Sequence, residues 1–244
     1  MSKNVVQRTD WKSVNWRKVN RIVRNLRRRI FRATREKQWR KVRSLQRLLM
    51  RSYSNILKSV RRATQLNQGK KTPGVDKKVA LTPSERGELV DTLKRFGNLW
   101  KPLPTKRVYI PKKNGRKRPL GIPSIVDRCL QGIVKNALEP EWEALFESTS
   151  YGFRAGRSCH DARQKIFLNI RKENNKKWWV VDADIKGCFD NISHEHLMTK
   201  LKQFPGKRWV EKWLKSGYVD KNVFHETEAG TPQGGISVLR SAQW

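Results

Sequence analysis

The sequence predicts an α+β protein whose first third is helical and strongly cationic. Three observations carry that prediction. Apolar residues recur at helical spacing through the first sixty positions. An Asn-Gly pair sits between two short stretches ending in proline, RVYIP and RPLGIP. The apolar run WWVVDAD, Trp178 to Asp184, then ends in two acids, as a buried central strand opening at a site would.

The elements follow in order. Val19, Ile22, Val23, Leu26 and Ile30 mark one amphipathic helix, and Val42, Leu45, Leu48, Leu49, Ile56 and Val60 mark a second, joined near Thr34 to Gln38. Asn67 to Asp76, NQGKKTPGVD, is rich in turn formers and reads as a linker. Thr82-Pro83-Ser84-Glu85 supplies an N-cap, a first-turn proline and an acid three residues after the cap, starting a helix to about Phe96. Arg107–Pro111 and Arg118–Pro123 form a hairpin through Lys112-Lys113-Asn114-Gly115. Ser124 with Asp127 caps a helix that should break at Pro140 and resume through Phe146. Ser158 with Asp161 starts another, to about Arg171, and a last one runs from Ser193 to about Lys202.

Charge narrows the function. Lys and Arg total 55 against 21 Asp and Glu, a formal net charge of +34, which calls for a polyanionic partner. Nucleic acid suits this better than a membrane surface, because no apolar run approaches the ~20 residues of a membrane-spanning helix. The N-terminus has no apolar stretch of the signal-peptide kind, so the expected location is bacterial cytoplasm or an organelle. Cys129, Cys159 and Cys188 have neither zinc-site nor disulfide-framework spacing and read as plain thiols. Cys159-His160-Asp161 and His194-Glu195-His196 are sequence neighbours without catalytic or metal-ligating geometry.

The cations concentrate at the start: Met1 to Lys70 holds 22 Lys or Arg against only Asp10 and Glu36. A solvated helical face usually mixes signs, whereas here Arg24, Arg28 and Arg32 on the first helix and Arg43 and Arg47 on the second leave the non-apolar faces almost purely cationic. These residues are expected to contact RNA phosphates. Downstream, a carboxylate at the end of an apolar strand needs a compensating cation. In a nucleic-acid protein that cation is Mg²⁺, with Asp184 as the candidate ligand and Asp182 on the same face of a regular strand.

GKKTPGVD, IPKKNGRKRPLGIP, SYGFRAGRS, DADIKGCFDNISH and GTPQGG, in that order over a basic helical extension, resemble the group II intron reverse transcriptases, intron-encoded proteins that are also maturases. The likeness runs from about Trp11 to Ile236. It implies the fingers and an incomplete palm of a right-hand polymerase, residues 67–237, behind an RNA-binding extension, residues 1–66. By the resemblance Asp184 would be the first metal-binding aspartate, with the backbone carbonyl of Ile185 beside it, and Phe189 the aromatic gate against a ribose 2′-hydroxyl. Lys112 and Arg118 would grip the incoming deoxynucleoside triphosphate, and Gln233 would pack beside it. Tyr151, Gly152, Phe153 and Arg154 would contact template and support the nucleotide pocket. The implied partners are intron RNA, template RNA and primer DNA, and the implied cofactor is Mg²⁺.

One departure matters. The family places an adjacent pair of aspartates in a Tyr-x-Asp-Asp turn well after the Gly-Thr-Pro-Gln-Gly loop, and no such turn occurs in these 244 residues. Residues 238–244, VLRSAQW, replace the apolar helix that usually follows, as a truncation or frameshift would. The expectation is therefore a chain without polymerase activity alone, its strand near Val180 to Asp184 short of neighbours and its apolar surface open. Two alternatives accompany it: a non-catalytic RNA-binding remnant, and a half-enzyme completed by a separate fragment.

Overall fold

The computed structural model describes residues 8–96, 99–111, 115, 117–171, 179, 181–185, 187 and 189–231. Helix α1, Trp16–Arg35, starts where the Lys18 backbone N–H donates to Asn15 Oδ1 (2.9 Å) and buries Val19, Val23, Leu26 and Ile30, the predicted stripe. The second predicted helix is two: α2, Trp39–Arg51, and α3, Tyr53–Arg61, continued by a π-helical turn over Arg62–Leu66. The break falls at Ser52, whose backbone is extended. Asn55 helps hold it: its buried side-chain amide donates to the Leu49 carbonyl (3.0 Å), which also accepts the Ser52 N–H (3.1 Å), and to the Ile133 carbonyl (3.2 Å). The cost of ending one helix is thus offset by anchoring the next.

Helix α4, Pro83–Phe96, carries the predicted capping box: the Leu81 and Thr82 N–H groups donate to Glu85 Oε2, and the Glu85 N–H donates to Thr82 Oγ1. Strands β1, Thr105–Pro111, and β2, Lys117–Ile122, form the predicted antiparallel hairpin, with Lys106 opposite Ile122 and Pro111 opposite Lys117. Helix α5, Ile125–Leu145, passes through Pro140 without the expected interruption. Ion pairs hold the residues on both sides of the proline, Glu139 to Arg27 (2.6 Å) and Glu141 to Arg43 (2.6 Å), so tertiary contacts compensate the one lost backbone bond.

Helices α6, Cys159–Ile170, and α7, His194–Lys200, appear where their caps predict. The sequence reading does not anticipate α8, Lys207–Leu214, nor the hairpin β3, Tyr218–Asp220, and β4, Val223–His225. That hairpin turns through Lys221 and Asn222, both at positive φ, the geometry of a tight two-residue turn. Strand β3 lies parallel to β1, giving the sheet order β2-β1-β3-β4.

Among the described residues the expected strand near Asp184 does not form: residues 181–185 have no regular structure, and Trp179 and Val181 are 94% and 89% exposed. An apolar strand persists only when ladder partners and a covering layer satisfy it, and among the described residues neither is present for this segment.

One apolar cluster runs from Trp11 through α1, α2, α3, α4 and α5 to Trp213 and Leu214 of α8, crossing the linker expected to divide the chain. At its centre the buried Asp127 carboxylate accepts from Trp100 Nε1 (2.9 Å), Trp213 Nε1 (3.1 Å), Ser124 Oγ (2.7 Å) and the Leu103 N–H (3.2 Å). Burial raises its pKa, and those four donors pull it back. The linker itself is strapped down. Arg128 donates to the carbonyls of Gly69 (3.0 Å), Thr72 and Pro123 (2.9 Å). A Cβ on Gly74 would stand 2.7 Å from Ser124 Cα, so only glycine lets the strap lie against the start of α5.

Candidate nucleic-acid interface

The cationic faces of the first helices resolve into two kinds. Arg24, Arg28, Arg32 and Arg47 are exposed, as a phosphate-contacting role requires. Arg43 is not. It is buried between α2 and α5, donating through both terminal nitrogens to Glu141 (2.6 and 2.8 Å) and to Gln46 Oε1 (2.9 Å). The assignment of Arg43 to RNA is therefore corrected: a guanidinium buried between two helices and held by a buried carboxylate is out of reach of a phosphate. A cation on the polar side of a helix looks the same in sequence whether it faces water or a second helix, and only Glu141, 98 residues away, decides it.

Arg24 and Arg28 line a half-open groove of about 1080 Å³ between α1, α3 and α5. Arg32 and Arg47 lie outside it. The groove adds cations that the sequence reading missed: Arg27, Lys58, Arg61, Arg62 and Lys135. Its carboxylates are already occupied, Glu139 by Arg27 (2.6 Å) and Lys135 (3.6 Å), and Glu143 by Arg154 (2.6 Å). The Arg61 guanidinium carbon lies over the Trp16 ring, 4.3 Å from its centroid, and its buried Nε has no hydrogen-bond partner.

The electrostatics show an excess of positive charge at close quarters. Burial lowers the Lys58 pKa first, and Arg27, Arg62 and Arg24 lower it further, against a single opposing influence from Glu139. Lys135 is lowered by burial too; Glu139 opposes that, while Arg62 and Arg27 add to it. Amines whose charged form is disfavoured by neighbouring cations mark a surface that gains when a polyanion neutralises it. Lys135 is hard to find in sequence because it stands on the most apolar helix; its signal is Glu139, four residues on.

The remaining predicted positions fall at the far end. Arg154 lines the groove, but its guanidinium is spent on Glu143 and the carbonyls of Glu147 (2.6 Å) and Ser150 (2.8 Å), so it shapes the loop rather than offering a free fork to template. Tyr151 is half-buried, with Arg157 over its ring at 5.4 Å. Phe153, at φ +58°, meets the Phe189 ring edge-on at 6.1 Å. The turn at Phe189 is in turn tied to the start of the Gly-Thr-Pro-Gln-Gly loop: the Thr231 N–H donates to the Phe189 carbonyl (2.7 Å) and the Gly230 N–H to that of Ile192 (2.9 Å). Gly230 sits at φ +82° with its Cβ position 2.7 Å from the Asp190 carbonyl oxygen, which fixes glycine there.

Asp184 and Ile185 are exposed, as is Asp182, and the described residues contain no group of three metal-competent side chains. Arg118 is exposed on β2 opposite Ile110. Lys112, Gln233 and residues 238–244 lie outside the described residues. No helix among the described residues is long and apolar enough to cross a membrane.

Comparison with known proteins agrees with this arrangement. Residues 11–93 match the family model for the N-terminal domain of reverse transcriptase, and residues 110–238 match that for reverse transcriptase (RNA-dependent DNA polymerase). The group II intron-encoded protein LtrA of Lactococcus lactis is 40% identical over 177 residues, 70% of this chain and 28% of that protein. Protein YkfC of Escherichia coli is 37% identical over 187 residues, 72% of this chain and 48% of its own length. This chain thus spans less than half of either relative. A chain of a partial Cas6-RT-Cas1–Cas2 complex aligns over 80% of this chain and 33% of its own at 22% identity and a TM-score of 0.46, too slight a likeness to bear on function. With both family models matched in order and the cationic groove behind them, the chain belongs to the reverse transcriptase family, among its group II intron-encoded members.

Proposed function

We propose that this chain binds RNA across the groove between α1, α3 and α5, in the service of RNA-directed DNA synthesis and intron RNA handling. The single observation that carries the reading is the groove's surplus of cations: Arg24, Arg27, Arg28, Lys58, Arg61, Arg62 and Lys135 line it, Arg24, Arg28 and Arg62 are exposed, and its carboxylates Glu139 and Glu143 are already paired. The basic helices, residues 1–66, would hold intron and template RNA, and residues 67–237 would supply fingers and palm, with primer DNA as the further partner. Within them, family likeness assigns the triphosphate to Lys112 and Arg118, its neighbourhood to Gln233, and the 2′-hydroxyl check to Phe189.

The reaction class requires Mg²⁺, which the family uses to stabilise attacking and leaving oxygens. Asp184 and the Ile185 carbonyl are this chain's candidates to hold it. The described donors do not fit the ion on their own: Asp182 and Asp184 are exposed with no third metal-competent side chain beside them. RNA binding is therefore the function these residues support by themselves.

Two measurements test this. RNA affinity followed against salt should fall with a log–log slope of roughly −3, about −0.7 for each neutralised phosphate of a single strand; a slope near zero would remove the phosphate-contact reading. Primer extension by these 244 residues with Mg²⁺ and deoxynucleotides should be undetectable, and extension abolished by Asp184→Ala would overturn that.

A further inference from the structure

We infer that Asp127 is the positioning residue of the β1–β2 hairpin: one buried carboxylate clasps the start of β1, the end of β2 and the helix that leads into β3, and so fixes where Arg118 stands. The use made of that placement rests on the proposed assignment of a triphosphate to this hairpin. The clasp itself rests on the contacts of Asp127.

Each oxygen of the carboxylate serves two elements. Oδ1 accepts from Trp100 Nε1, in the segment entering β1, and from Trp213 Nε1 of α8 (2.9 and 3.1 Å). Oδ2 accepts from the Leu103 N–H, just ahead of β1, and from Ser124 Oγ, just past β2 (3.2 and 2.7 Å). From Trp213 the chain passes Gly217, whose carbonyl accepts the Thr105 N–H (3.0 Å), and enters β3. The return from β4 is tied to the same helix, because Thr227 Oγ1 donates to the Leu214 carbonyl (2.7 Å). Further out on the sheet, the Tyr109 hydroxyl of β1 donates to Asp220 Oδ2 of β3 (2.5 Å). The four strands therefore form one blade on one mount.

The mount is built for direction more than for stability. All four donors are neutral, and among the described residues no cation pairs with Asp127. Its neighbour Arg128 is turned to the carbonyls of the strap. A buried carboxylate without a cation costs stability that an apolar side chain would not. What it adds is a pair of ionised acceptors, whose hydrogen bonds are shorter and roughly twice as strong as neutral ones.

The lever above this mount is long. Arg118 lies six residues from Ser124 along an extended chain, up to about 20 Å away. A swing of about 10° at the mount would carry Arg118 about 3 Å. That is enough to spoil a guanidinium fork that has to meet phosphate oxygens.

The test uses the full 244-residue chain. Asp127→Asn keeps the size and one accepting oxygen, but its amide nitrogen cannot accept from the Leu103 N–H. Hydrogen exchange followed by mass spectrometry should then quicken at least tenfold over residues 101–122 and 214–226, and less than twofold over α1, α2 and α3. Trp213→Phe removes only the α8 tether and should quicken residues 214–226 while sparing residues 101–104. In parallel, calorimetric affinity for inorganic tripolyphosphate should fall about tenfold in both Asp127→Asn and Arg118→Ala. Unchanged exchange in Asp127→Asn overturns the clasp, and so does exchange raised equally in the three helices, which would mean a general loss of stability. A hairpin that loosens while tripolyphosphate affinity holds overturns the positioning role. A parent chain whose tripolyphosphate affinity ignores Arg118→Ala removes the triphosphate reading of the hairpin, and exchange still decides the clasp.

Discussion

Replacing Glu141 with alanine should lower the free energy of unfolding by about 3–5 kcal/mol, the characteristic cost of leaving one partner of a buried ion pair uncompensated. Arg43 would keep its charge in a site it shares with the fully buried Gln46, which also loses its bond to Glu141 Oε2 (2.7 Å). For a chain of this size the melting temperature should drop by roughly 6–20 °C. Chemical denaturation followed by circular dichroism measures the loss. The paired substitution Arg43→Met with Glu141→Leu removes both charges and should return most of it, because apolar residues of similar volume commonly replace a buried pair at little cost. The paired variant also checks the correction made for Arg43: its RNA affinity should equal that of the parent. A large drop with normal folding would return Arg43 to the interface.

The largest effect on binding should come from Arg24→Ala, Arg28→Ala and Arg62→Ala made together. All three are exposed and line the groove, so the fold should survive their loss. If each neutralises one phosphate, each contributes about fivefold to affinity at 0.1 M salt, and the three together about a hundredfold. The slope of log affinity against log salt should flatten by about 2. The matched control is Arg32→Ala, Arg40→Ala and Arg47→Ala, which removes the same charge from exposed positions outside the groove. Equal losses in the two triples would mean that overall charge, and not the groove, attracts RNA.

These results turn on distinctions that sequence carries unevenly. Every helix with a local cap was legible, because Thr82–Glu85, Ser124–Asp127 and Ser158–Asp161 act within four residues of each other. The β1–β2 hairpin was legible for the same reason. What failed depended on partners far along the chain. The break at Ser52 is set by Asn55 reaching α5, and the continuity of α5 through Pro140 by ion pairs to Arg27 and Arg43. The strand expected at Val181 to Asp184 carries a strong apolar signal, but a strand is a property of its neighbours as much as of itself.

The site divides likewise. Motif order pointed to Phe189 and the Gly-Thr-Pro-Gln-Gly loop, and the structure joins them through the Thr231 and Gly230 backbone. Charge density pointed to the N-terminal helices as a whole. It could not separate Arg24 and Arg28 in the groove from Arg43 in the core, nor reveal that α5 contributes Lys135. Those assignments depend on which helix faces which, information held in packing and not in composition.

The strap over α5 carries one more consequence, for the order in which the chain folds. Arg128 reaches carbonyls 59 and 56 residues earlier in the chain, at Gly69 and Thr72, and Gly74 rests on the Ser124 backbone. Helix α4 and the β1–β2 hairpin lie between those two points, so closing the strap means closing a long loop whose contents must already be compact. The helices ahead of it can form from local contacts in a fraction of the time. Seating of the strap is therefore expected to follow the first local helical contacts, and a nascent chain still short of Arg128 lacks the helix against which α1, α2 and α3 pack.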